Sequence, residues 1–141
     1  MTRLALPDGE DHPEAAHKHL LDAQALLAQQ RADGAAYLSG YVVECALKAI
    51  CQLETGAFRR EHDLQSLARE VSAVVAFAGA RTARYFGAAT KGLPSAAIAA
   101  WRPEMRYRPA TMTLPDARAW CAEAQAVFAE TVAQMKLDGE L

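Results

Sequence analysis

Residues 35–55 read AAYLSGYVVECALKAICQLET. Tyr37, Leu38, Tyr41, Val42, Val43, Cys45, Ala46, Leu47, Ala49, Ile50 and Leu53 are apolar on nearly every face of a helix drawn through them. Such a helix belongs in the middle of a bundle or in an interface. Its polar row is Gly40, Glu44, Lys48 and Gln52, each four residues apart. Glu44 and Lys48 stand in the favourable order for an i,i+4 pair, worth about 0.2–0.5 kcal/mol if exposed. Gly40 costs about 1 kcal/mol relative to alanine inside a helix. Close approach of a neighbour, such as another helix, would account for its missing side chain. Gly56 supplies the C-terminal stop.

Working outward, PEAAHKHLLDAQALLAQQR (13–31) predicts a preceding helix. Pro13 suits the first helical position, Ala16, Leu20, Ala23 and Leu27 recur at helical spacing, and Asp33-Gly34 marks the break. Downstream, the loop AFRRE leads to a third helix, HDLQSLAREVSAVVAFAGA, with Leu64, Leu67, Val71, Val74 and Val75 inward. Residues 80–100 predict a fourth helical region interrupted by Gly92 and Pro94. Thr113 opens a last helix that carries Ala117, Trp120, Ala124, Val127, Phe128, Thr131 and Met135 inward, and Thr113 with Asp116 resembles a capping box. No sustained period-2 alternation predicts a strand. The expectation is an all-α, up-and-down bundle of about five helices forming one domain over 1–141, with its core at about 12–137.

Composition narrows the class. The chain has 141 residues, 52% of them hydrophobic, and a net charge of −2. That is enough chain to bury a core without staples, and the small charge does not by itself point to nucleic acid. No apolar run reaches the roughly 18 residues of a membrane span. The start, MTRLALPDGEDHPE, lacks the pattern of a secretory signal. Three cysteines, Cys45, Cys51 and Cys121, read as reduced core thiols in a cytoplasmic protein. The charge is segregated: net −4 over residues 1–56, +5 over 57–108 and −3 over 109–141. The basic centre is mostly arginine, whose planar fork suits phosphate.

The densest part of that centre is WRPEMRYRP, Trp101–Pro109. Its arginines Arg102, Arg106 and Arg108 are interleaved with Trp101 and Tyr107, and Pro103 and Pro109 restrict the backbone. Trp101 and Tyr107 read as residues that close the end of a core or as platforms that stack on bases. Taken together, AAYLSGYVVECALKAI, EHDLQSL, the Arg-Tyr pair of MRYRP and the alanine-rich last helix resemble a HEPN domain across about residues 12–137. The resemblance implies a helical bundle that usually dimerises. It also implies a nucleotidyltransferase-type partner protein, toxin–antitoxin or other defence systems, and in several members a metal-independent RNase. Those RNases use an arginine followed four to six residues later by a histidine.

This chain departs from that pattern. Its histidines are His12, His17, His19 and His62, and none follows Arg102 or Arg106 at the required spacing. Metal-independent RNA cleavage needs a group that moves a proton near neutral pH, for which histidine is suited. The expectation is therefore a catalytically degenerate binding module in which Arg102, Arg106, Arg108 and Tyr107 hold nucleotide or RNA. The alternative is a non-standard RNase site pairing His62 with a loop arginine, Arg106 among them. His62 otherwise reads as a helix-entry residue. Glu44 reads either as a surface partner of Lys48 or as a partly buried anchor for Arg106, and with Lys48 and Gly40 it is assigned a structural role. His17 and His19, two apart, point to different faces; with His12 they read as solvated surface. Neither a metal site nor a cofactor is expected.

Overall fold

A computed structural model describes residues 1–57 and 59–141; Phe58, in the AFRRE loop, lies outside the described residues. Helix α1 spans His12–Ala28, α2 Ala32–Thr55, α3 Leu64–Val75, α4 Ala88–Gly92 and α5 Leu114–Phe128. A π-helical turn, Ala129–Ala133, continues α5 into α6, Gln134–Leu137. The architecture is the expected all-α bundle. α2 lies at its centre, packed against α1, α3 and α5, and all of Val42–Leu53 is buried. Its apolar circumference is thus covered by the chain's own helices and does not call for a second copy.

The ends of the long helices follow local chemistry. Asp11 caps α1 through Glu14 N–H at 3.2 Å. Thr113 caps α5 by accepting from Asp116 N–H at 3.2 Å. Gly56 closes α2 in the left-handed region at φ 69°, where glycine carries no Cβ penalty. Two boundaries differ from the reading above. α1 stops at Ala28, three residues early, because Gln30 turns the chain at φ 59°. Asp33-Gly34 then falls in the first turn of α2. α3 stops at Val75, short of Ala80, and Gly79 turns the chain at φ 80°.

Residues 80–100 form single turns rather than one helix: Ala83–Tyr85, α4, Leu93–Ser95 and Ala97–Ala100. Carboxylates from distant helices hold them. Glu54 accepts from Thr82 N–H at 2.9 Å. Glu130 accepts from Ala89 and Thr90 N–H at 2.9 and 3.0 Å, and Glu123 accepts from Ile98 N–H at 2.9 Å. Each satisfies backbone donors that a one-turn helix leaves open.

Candidate functional site

The polar row of α2 is buried, not exposed. Gly40 lies under Trp101, a residue of the 101–109 stretch, and not under another helix. A Cβ at Gly40 would stand 2.2 Å from the indole ring. Glu44 is 3% exposed and Lys48 5%, so of the two readings of Glu44 the surface pair does not hold and the carboxylate is buried. Lys48 Nζ donates to Glu44 Oε1 at 2.7 Å. The second partner of that oxygen is His62, whose Nδ1 lies 2.9 Å away. Glu44 therefore anchors the histidine at the entry of α3 and not Arg106. An ionised carboxylate only accepts, so in this contact the His62 Nδ1–H is the donor. The His62 side chain is 57% exposed.

A cavity of about 980 Å³ opens beside this cluster, between α1, α2 and the residues before α3. His12, Lys18 and His19 line it from α1; Tyr41, Glu44, Cys45 and Lys48 from α2; Arg60 and His62 from the approach to α3. Reading His12 and His19 as solvated surface is corrected here. His12 is 8% exposed, and His19 is half-buried with its ring 5.4 Å from that of Tyr41. The separate faces of His17 and His19 are seen directly, since His17 stacks on Phe128 at 5.7 Å, outside this cavity. The signal for the cavity was present: His12, Ala15 and His19 follow an i, i+3, i+7 pattern, as do Tyr41, Glu44 and Lys48. Among the described residues, no group of three or more His, Cys, Asp or Glu is placed to hold a metal ion.

Burial is the first cause lowering the pKa of His12 and of His19, assisted by Lys48 and Lys18 respectively. Glu10, Asp11 and Glu44 around His12, and Asp22 and Glu44 around His19, act in the opposite direction. The folded rings thus resist protonation, whereas unfolded histidine takes a proton near pH 6.5. Their contribution to stability is complete above that pH and is lost as pH falls below it towards the folded-state values. Urea midpoints should drop between pH 7.5 and 5.5, and His12→Gln with His19→Gln should flatten that drop. An unchanged pH slope in the double variant would remove these rings as its source.

The WRPEMRYRP stretch is an anchored turn, with Pro103–Tyr107 forming a 3-10 helix. Trp101 is fully buried and donates its Nε1–H to the Tyr37 carbonyl at 2.9 Å. Arg102 is spent internally: it donates to the carbonyls of Ala99 and Trp101 at 2.9 and 2.7 Å and meets Asp63 at 2.8 Å. Asp63 is the residue after His62, so the turn and the histidine are neighbours. Hydrogen bonds from Ser66 lead the lowering of the Asp63 pKa, and Arg102 adds to it.

Arg106, Tyr107 and Arg108 are exposed. The Arg106 guanidinium lies 4.7 Å from the Tyr107 ring centroid. Hydrogen bonding to Tyr37, then to Tyr107, raises the Arg106 pKa further above its ordinary value. Tyr37 and Tyr41 join hydroxyls at 3.0 Å, which connects the arginine turn to the cavity wall. Burial, then the Tyr37 contact, pushes the Tyr41 phenol up to about 12.

The fold is thus a bundle centred on one buried helix, with an anchored arginine–tyrosine turn beside a histidine-lined cavity. The family model of the HEPN domain matches residues 10–134, and the chain belongs to the HEPN domain family. No curated protein matches it, and no solved structure does. HEPN domains often dimerise. Among the described residues no helix is long and apolar enough to cross a membrane.

Proposed function

We propose that the chain acts over its whole length as a single, non-catalytic HEPN binding module that holds RNA or nucleotide on the Arg106–Tyr107–Arg108 turn. The observation that carries this reading is the turn itself. Two arginines and a tyrosine that is 77% exposed are presented on a backbone fixed by Trp101 and Arg102. Arginines supply phosphate contacts, and an exposed ring offers a stacking surface that tolerates any base. Arg102 takes the supporting role, since its guanidinium already serves Asp63 and two carbonyls.

The module works as a homodimer beside a nucleotidyltransferase-type partner, as in toxin–antitoxin systems; family membership supports this. Buried free thiols at Cys45, Cys51 and Cys121 fit a reducing, cytoplasmic setting. Light scattering at tens of micromolar should give twice the chain mass, and a monomer there would remove the dimer.

Labelled single-stranded RNA tests the turn. Each of Arg106→Ala and Arg108→Ala should weaken binding and shrink the salt slope by about one. Tyr107→Ala should cost about 1–3 kcal/mol if a base stacks there. Binding that ignores all three would end this reading.

The second reading, a metal-independent RNase centred on His62, draws on one observation: Glu44 fixes Nδ1 of an exposed imidazole whose chain neighbour holds Arg102. Wild type and His62→Ala, purified identically, should both leave structured and unstructured RNA intact. Cleavage by wild type that disappears in His62→Ala would replace the binding module with the nuclease.

A further inference from the structure

Arg106 and Tyr107 stand side by side on the exposed turn. An unrestrained arginine there would lose much of its rotamer freedom on meeting a phosphate. Two tyrosines restrain it beforehand. The Arg106 guanidinium lies 4.7 Å from the Tyr107 ring centroid and hydrogen-bonds the Tyr37 side chain. A guanidinium has no acceptor, so the Tyr37 hydroxyl oxygen accepts in that contact. The two tyrosines are not equivalent. Tyr107 is 77% exposed, and a base that stacks on its ring competes with the guanidinium for it. Tyr37 is half-buried in α2. Its carbonyl accepts the Trp101 indole N–H at 2.9 Å. Its ring lies edge-on to that of Tyr41 at 5.2 Å and tilted against the buried Trp101 at 6.2 Å. Its hydroxyl meets that of Tyr41 at 3.0 Å. One residue of the central helix thus holds the turn at two points: Trp101 through its carbonyl and Arg106 through its hydroxyl.

We propose that Tyr37 is a positioning residue of the RNA-binding turn, its hydroxyl holding the Arg106 guanidinium ready for a phosphate without itself touching RNA. The proposal rests on the reading that the turn binds RNA. A guanidinium carries more N–H donors than one hydroxyl uses, so the remainder are left for the phosphate. Holding the side chain before binding removes part of the ordering cost from the binding step. It also keeps Arg106 in place when a base takes the Tyr107 ring. The hydroxyl is uncharged, so its loss leaves the electrostatic part of RNA binding as it was.

Tyr37→Phe tests this, because phenylalanine keeps the ring, the carbonyl and the helix. Binding of labelled single-stranded RNA should weaken about threefold to tenfold, the cost of immobilising one long side chain at the moment of binding. The slope of affinity against salt should not change, whereas Arg106→Ala shrinks it by about one. In the Arg106→Ala background Tyr37→Phe should have no further effect. In the Arg108→Ala background it should cost the same factor as in wild type. Proton–nitrogen spectra of the free protein supply a second readout. The Arg106 Nε–H signal should move in Tyr37→Phe, while the Trp101 Nε1–H signal stays in place and reports an intact start of the turn.

Unchanged RNA affinity in Tyr37→Phe would overturn the proposal. So would a loss that persists in full in the Arg106→Ala background, which would make the hydroxyl a direct RNA contact. A loss accompanied by a displaced Trp101 signal would overturn it as well, since Tyr37 would then act on the fold alone. RNA binding that Arg106→Ala weakens and Tyr37→Phe spares would leave the turn standing and remove Tyr37 alone. RNA binding indifferent to Arg106, Tyr107 and Arg108 would remove the turn itself, and the role of Tyr37 with it.

Discussion

Trp101→Ala should lower the unfolding free energy by about 3–5 kcal/mol, the range for emptying an aromatic site in a packed core. The indole is fully buried, sits edge-on to Tyr41 with centroids 4.8 Å apart, and gives its N–H to the Tyr37 carbonyl. Truncation removes the packing and leaves that carbonyl without the side-chain donor. Gly40→Ala attacks the same contact from the other side. A methyl group there would stand 2.2 Å from three indole atoms, and neither a helix backbone nor the base of a ring gives way easily. Overpacking of this kind costs about 1–3 kcal/mol. Since Trp101 fixes the start of the arginine turn, both variants should weaken RNA binding together with the fold, although neither touches RNA. Gly40→Ala combined with Trp101→Leu should be less destabilised than the two single losses together, because the smaller side chain leaves room for the methyl. Urea unfolding reads all three. A Gly40→Ala midpoint equal to that of wild type would show that the indole is not held where it lies.

What the sequence disclosed and what it concealed divide along physical lines. α2, α3 and α5 were legible because their apolar periodicity, caps and stop signals are local. Thr113 and Gly56 work on backbone groups within a few residues of themselves. The 80–100 region was not legible. Its turns are held by Glu54, Glu123 and Glu130, which reach across the fold from other helices, and no local pattern announces such caps. The π turn after α5 places Glu130 within it, against α4, where a Cβ on Gly87 would meet the carboxylate at 2.5 Å.

The same division explains the candidate site. The arginine turn stood out by composition alone. The cavity did not, because its wall is assembled from α1, α2 and the entry to α3, and because an i,i+4 Glu–Lys pair normally signals solvent. Besides the i, i+3, i+7 rows of α1 and α2, one hint was contextual: a helix with apolar residues on every other face has no exposed side on which to put its charges. Once Glu44 and Lys48 are placed inside, the nearest basic group decides the partner. That group is His62, delivered by α3, and Arg106 instead settles on Tyr37 and Tyr107.

Glu44→Ala should destabilise the chain by about 3–5 kcal/mol, the penalty for breaking a buried ion pair from one side. Lys48 is 5% exposed, and its ammonium would lose the carboxylate that stabilises its charge. Lys48→Ala should cost less, since His62 still donates to Glu44 Oε1. The informative variant removes both charges. Replacing Glu44 with leucine and Lys48 with methionine substitutes apolar groups for a pair whose attraction does little more than offset its desolvation. This double variant should be clearly more stable than Glu44→Ala and close to wild type. A double variant as unstable as Glu44→Ala would mean that the pair holds the bundle together, and the polar row of α2 would be architecture only. A stable double variant would separate the row from the fold. The charges would then be dispensable for folding, and the reason for burying them would lie in the cavity they border.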